Sequence, residues 1–198
     1  MSLYTPRSFL GDGAHAEKLI RDYPFATLIT SVDGDEPHVT HLPMLYEDGS
    51  LAAHMARANP HWRAFARGST VAVFHGPHTY ISPRFYVEPE KNVPTWNYAV
   101  VHVHGRPEML PDDAVPPHIE ALTQVFERGA WSPTAQKVAQ LAPGVVGFRM
   151  KAERMEVKVK MNQNRTAADR AKVIDHLRAT GREDDAAVAD WIVIDDAR

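Results

Sequence analysis

The sequence predicts a mainly antiparallel β protein with peripheral helices, closed into a small barrel. Three observations carry this expectation. β-Favouring runs recur between residues 25 and 110, separated by turn clusters at 33–37, 47–50 and 76–77. Helical periodicity is confined to short stretches near 11–23, 112–128 and 167–179. Eight of the eleven histidines (His38, His41, His54, His61, His75, His78, His102 and His104) fall inside the strand-rich stretch.

The elements follow in order. Residues 11–23 form an amphipathic helix with Asp12 as cap and Pro24 as its stop. Runs at 25–32, 38–46 and 51–56 read as a three-stranded meander, in which Pro43 marks an edge, a bulge or a close approach. Asn59 and Pro60 open a short helix that Gly68 closes. Strands are expected at 70–75 and 79–82, with Gly76 and Pro77 as a turn between them. Residues 84–98 lack a period and read as a functional or interface loop. Residues 99–110 return to strand, with His102 and His104 on one face. A helix over 112–128, a short one from Ser132 towards Leu141, strands at 144–150 and 153–160, and a helix over 167–179 complete the pattern. Residues 1–181 are taken as the barrel domain with its appended helices, and 182–198 as an acidic C-terminal tail, partly disordered or packed on a partner.

Composition narrows the chemistry. The 198 residues contain no cysteine, so thiolate metal sites, disulfides and a cysteine nucleophile are excluded, and any redox chemistry requires a cofactor. The net charge of −3 offers no overall attraction to nucleic acid or anionic membranes. No apolar run approaches the roughly 18 residues of a membrane span, and no signal peptide is readable, so a cytoplasmic location is expected. P-loop, dinucleotide-binding and nucleophile-elbow motifs are absent.

Four constellations could carry chemistry. The segment 54–63 (HMARANPHWR) places Arg57 and Arg63 beside a helix start, which suits a phosphate; a capped surface helix with solvated arginines has the same pattern. Residues 93–98 (VPTWNY) offer aromatic faces and amides for a conjugated ring, or core and dimer-interface anchors. The histidines suit hydrogen bonding better than a metal, because no third ligand stands at a telling offset, and no metal site is expected. Residues 149–172 hold eight basic side chains against three acidic ones, which fits a solvated strand face or a DNA contact. Within that stretch Gln163, Asn164 and Arg165 form a polar trio able to address a ring edge.

The ordered set T-H-L-P (40–43), H-M-A-R-A-N-P-H-W-R (54–63), F-H-G-P-H-T-Y-I-S-P (74–83), V-P-T-W-N-Y (93–98), V-H-V-H-G (101–105), G-V-V-G-F (144–148) and Q-N-R (163–165) resembles the PaiB-type family of FMN-binding split-barrel proteins, often described as negative transcriptional regulators. The likeness runs from Tyr4 to about Leu177. It implies a split β-barrel similar to flavin reductases and pyridoxamine phosphate oxidases, and a homodimer with FMN near the subunit interface. By the same resemblance the segment carrying His54, Met55, Ala56, Arg57, Asn59, Trp62 and Arg63 seats the phosphate. Thr40, His41 and Leu42 line the flavin, Trp96 and Asn97 come from either subunit, and Gln163 with Arg165 completes the pocket. Where the family reads L-S before the trio, this chain has Met161 and Asn162. His41 is the candidate acid or base. The function implied is a flavin-dependent redox protein acting on a small molecule, or a flavin-linked negative regulator. The alternatives are a regulator without turnover, with direct DNA binding disfavoured by the charge, and a haem-binding or haem-degrading split barrel with His75, His78 or His102 as axial ligand.

Overall fold

The computed structural model describes residues 3–196. Nine strands and five α-helices occur among them: α1 (Gly13–Asp22), β1 (Phe25–Ser31), β2 (His38–Pro43), β3 (Leu45–Glu47), β4 (Ser50–Ala56), β5 (Ser69–Ile81), β6 (Thr95–Gly105), β7 (Pro107–Met109), α2 (Val115–Glu127), α3 (Ala135–Leu141), β8 (Val145–Lys151), β9 (Arg154–Lys160), α4 (Ala167–Ala179) and α5 (Glu183–Asp196). The chain divides into two compact units, residues 20–74 with 102–155, and residues 1–19 with 75–101 and 156–198. β5 and β6 contribute residues to both.

In the 20–74 and 102–155 unit, β1 lies between β2 and the first half of β5, antiparallel to each, with Leu28 opposite Thr40 and Thr30 opposite Thr70. A second sheet runs β3–β4–β8–β7. The expected three-stranded meander is therefore broken after Pro43. The Met44 N–H bonds the Pro24 carbonyl instead of a strand partner, and the chain enters the second sheet as β3, pairing with β4. Pro43 has no N–H to extend the ladder, and β2 is an edge strand. Leu28, Leu51, Ala53, Phe74, Phe148 and Met150 are fully buried, and every one of them sits on a strand.

In the other unit the second half of β5, the first half of β6 and β9 follow one another in the sheet. The turn expected at Gly76 and Pro77 is absent, and the strand runs straight through. Gly76 marks a close approach instead, since a Cβ there would stand 2.2 Å from Leu19 Cδ2 and 3.2 Å from the Ala99 carbonyl. β6 begins at Thr95, so the aromatic stretch 95–98 is strand rather than loop.

Of the residues expected to form an acidic tail, 183–196 fold as α5, Arg182 precedes the helix, and 197 and 198 lie outside the described residues. Val188, Ala189, Trp191 and Ile192 are buried, at spacings that a helix brings to one side. Asp185 fixes the first turn, accepting from the Thr79 hydroxyl at 2.5 Å, the Thr180 hydroxyl at 2.7 Å and the Arg182 guanidinium at 2.8 Å. Those bonds hold the Asp185 carboxyl well down, at about 2. A net acidic composition concealed this helix.

Candidate functional site

The expected site residues fall in both units. In the 20–74 and 102–155 unit, strand alternation separates the T-H-L residues. Leu42 is buried, whereas His41 faces out and shares a 3.1 Å hydrogen bond with Thr27 Oγ1. Thr40, one residue earlier, lies instead in a network around His61. The Asn59 amide donates to Thr40 Oγ1 at 3.0 Å, Thr40 Oγ1 lies 2.8 Å from His61 Nδ1, His61 Nε2 lies 2.9 Å from Thr30 Oγ1, and Thr30 lies 2.9 Å from Thr70 Oγ1. One direction uses every one of these contacts: Thr40 O–H donates to Nδ1, the ring donates from Nε2 to Thr30, and Thr30 O–H donates to Thr70. The ring is then neutral. Burial, with His38 nearby as a like charge, lowers its pKa to about 4.

The helix expected from Asn59 to Gly68 is a five-residue 3₁₀ turn, Pro60–Ala64, capped by the Asn59 side chain on the His61 N–H at 3.0 Å. It is too short to present a row of free N–H groups, which corrects the helix-start part of the phosphate expectation. Arg57 is also engaged. Its Nε donates to the Pro143 carbonyl at 2.9 Å and its Nη2 meets Asp112 at 3.0 Å. Arg63 lies over the Trp62 ring at 5.1 Å, and the Trp62 indole donates to the Arg57 carbonyl. Of the remaining residues in this segment, Met55 is buried and Ala56 exposed. His54 turns edge-on to His118 of α2 at 5.3 Å, with His54 Nδ1 and His118 Nε2 both buried and unpartnered. Burial lowers both pKa values, that of His118 to about 4.

In the other unit Trp96 and Asn97 leave opposite faces of β6. Trp96 is 53% exposed and meets His78 at 6.3 Å and Tyr80 at 6.2 Å, between a cleft of about 260 Å³ on the His75 and Tyr98 side and one of about 400 Å³ on the Arg182 side. Asn97 is 0% exposed, and neither its amide nitrogen nor its oxygen has a partner. A buried primary amide without partners costs free energy that a ligand offering a donor and an acceptor would recover.

The polar trio behaves differently from expectation. Gln163 is consumed locally, accepting from the Met161 N–H at 2.8 Å and donating to the Val159 carbonyl at 2.5 Å, so it closes the end of β9 rather than addressing a ring. Asn162 there adopts φ +64°, a left-handed position that Asn tolerates. Arg165 lies over the Tyr86 ring at 4.7 Å and donates to Asn92 Oδ1 at 2.7 Å. Sequence reasoning missed His61 as a hub, His118 as the partner of His54, and Lys160. The only available signal was that two of them lay inside segments already singled out.

The family described as "Putative FMN-binding domain" matches residues 3–154. The protease synthase and sporulation protein PAI 2 of Bacillus subtilis is 31% identical over 188 residues, 89% of each chain. The chain belongs to the PaiB-type FMN-binding family. Its cofactor is FMN. PaiB-type chains share their fold with flavin-binding split barrels. The FAD and haem binding protein of Mycobacterium smegmatis superposes with a TM-score of 0.59 at 17% identity, covering 75% of this chain and 71% of that one. The flavocytochrome Anf3 of Azotobacter vinelandii gives 0.58 at 14%, covering 75% and 67%. Among the described residues of this PaiB-type chain no helix is long and apolar enough to cross a membrane.

The donor set fits FMN. The isoalloxazine edge carries carbonyl acceptors and a ring N–H, the complement of the orphaned Asn97 amide.

Proposed function

We propose that this chain is a flavin-dependent redox protein in which Asn97 reads the edge of the flavin ring. The observation that carries this reading is the fully buried Asn97 amide with both polar atoms unpartnered. Bound FMN would supply hydride or single-electron transfer. The chain's own residues would bind and orient it, with Asn97 exchanging two hydrogen bonds with the ring edge. Arg57, Asn59 and Arg63 are the phosphate candidates that the family resemblance supplies. Arg57 would have to leave Asp112 to serve, at little cost because that ion pair is exposed.

Two copies of the chain are proposed to form the functional unit. Trp96, Tyr80 and Val93 leave large apolar surface on this unit exposed, which a second copy would cover. Turnover on a small molecule is favoured over regulation by direct DNA contact. The 149–172 stretch is basic, but several of its cations already bind the protein's own groups, Lys158 on the Tyr4 carbonyl and Lys172 on the Tyr86 carbonyl.

Titrating the purified chain with FMN, and following the visible spectrum and then NAD(P)H oxidation, tests the reading. A shifted flavin band with donor-dependent bleaching supports it. A band that does not shift at saturating FMN, with no rise in melting temperature, overturns it.

A further inference from the structure

We propose that Lys160 and Arg165 form a binding site for an oxyanion of the phosphomonoester class. Lys160 ends β9 and Arg165 follows one turn later, with Asn162 between them in the left-handed conformation that bends the chain back. Both cations are half-buried, and among the described residues neither forms an ion pair. The Lys160 ammonium donates to the Thr95 hydroxyl and the Arg165 guanidinium to the Asn92 amide oxygen, two neutral acceptors that leave most of the donors of each unused. Asp169, whose carboxylate feels the charge of Arg165, has both oxygens hydrogen-bonded to other groups: one accepts from the Val87 N–H at 2.9 Å and the other from the Thr166 hydroxyl at 2.9 Å.

A second observation points to a ligand independently. Asn162 is 3% exposed and its amide nitrogen has no acceptor, although its oxygen takes the Tyr86 hydroxyl at 3.4 Å. A buried N–H without an acceptor lies in the same turn as Arg165, whose own N–H bonds the Asn162 carbonyl at 2.9 Å. The Arg165 guanidinium lies over the Tyr86 ring at 4.7 Å, and a guanidinium offers the fork of donors that suits bidentate contact with a phosphate. Burial first, and then the neighbouring charges of Lys158 and Arg165, lower the Lys160 pKa. An arriving dianion would relieve that repulsion.

The phosphate could be that of FMN or of a second soluble ligand; only this choice of source rests on the flavin reading. Flavin-free full-length protein is titrated with inorganic phosphate by calorimetry, for the wild type and for Lys160→Met, Arg165→Lys and Arg67→Gln. Lys160→Met keeps the side-chain stem and removes the charge. Arg165→Lys keeps the charge and removes the fork, so a folded variant is available even if one of the two fails. At least a tenfold loss of phosphate affinity in both is expected, with the exposed surface control Arg67→Gln unchanged. Equal affinity in all four proteins, or a loss just as large in Arg67→Gln, overturns the proposal.

Comparing FMN with riboflavin then identifies the source. If the site holds the flavin's phosphate, Lys160→Met narrows the affinity gap between FMN and riboflavin, and FMN displaces inorganic phosphate. If it serves another ligand, Lys160→Met leaves FMN affinity unaltered and both bind together. Phosphate binding that is lost in Lys160→Met, in a chain that never binds FMN, sinks the flavin reading and keeps the site. FMN binding with phosphate affinity indifferent to Lys160 and Arg165 does the reverse.

Discussion

His61 Nδ1 lies 2.8 Å from Thr40 Oγ1, so the imidazole of the ANPHW segment is tied to the hydroxyl of the THLP strand 21 residues earlier. Through its other nitrogen the same ring holds Thr30, which in turn meets Thr70. Two motifs that read as ligand contacts are thus also joined to each other inside the protein. Replacing His61 by Ala removes a buried ring and leaves the Thr30 and Thr40 hydroxyls short of a partner. A loss of about 2–4 kcal/mol is expected, measured by urea denaturation. A loss below about 0.5 kcal/mol would show that the network contributes nothing net.

The same ring makes stability depend on pH. In the unfolded chain His61 and His118 titrate near 6.5; in the folded protein burial lowers both to about 4. A depressed histidine pKa means that the unfolded state binds the extra proton first. The stabilisation is therefore fully present above about pH 6.5 and is lost as pH falls from there towards 4, by up to about 3 kcal/mol per group. Urea midpoints at pH 7.5, 5.5 and 4.5 should fall in that order, and the fall should shrink in His118→Asn. A midpoint flat across this range contradicts the buried neutral rings.

Asn97 separates cost to the protein from value to a ligand. Asn97→Leu removes an amide that has no partner, so the flavin-free protein should hold its stability or gain about 1 kcal/mol. FMN affinity should fall at least tenfold, read from quenching of flavin fluorescence. Destabilisation of the flavin-free form with FMN affinity intact would mean that the amide serves packing alone.

Asp112→Asn tests whether Arg57 is held in reserve. The ion pair is exposed, so stability should change by less than about 0.5 kcal/mol. If Arg57 anchors the FMN phosphate, freeing it should tighten FMN binding while riboflavin binding stays the same. Identical FMN affinity in Asp112→Asn and in Arg57→Gln would exclude Arg57 as an anchor.

Gly105 ends β6 where backbone passes backbone. A Cβ at this position would stand 2.1 Å from the Lys151 carbonyl oxygen and 2.8 Å from Met150 Cγ. A backbone oxygen cannot rotate away as a side-chain tip can, so Gly105→Ala should cost more than about 2 kcal/mol. An unchanged melting temperature would mean that the strand can shift freely here.

Much of the fold was legible because it is written in local pattern. The sequence alone determined the mainly antiparallel class, α4 with its bounds, the Asn59 cap with Pro60 behind it, and β1. Each of these depends on neighbours within a few residues. The ordered motifs determined the family, and with it FMN.

What required tertiary structure was every decision that depends on partners distant in sequence. Gly76 and Pro77 carry turn chemistry, yet the strand continues because Leu19 and Ala99 need the space a Cβ would fill. The acidic end became a helix because Asp185 found the Thr79 hydroxyl and Trp191 was buried. The same holds for the site. Residue types nominated Arg57, Gln163 and Asn97 alike, but the long-range contacts of Arg57 and the strand-end turn around Gln163 satisfy those two within the protein, while Asn97 is buried with nothing to bond. Spacing along a chain states which groups are available. Only packing decides which of them are left for a ligand.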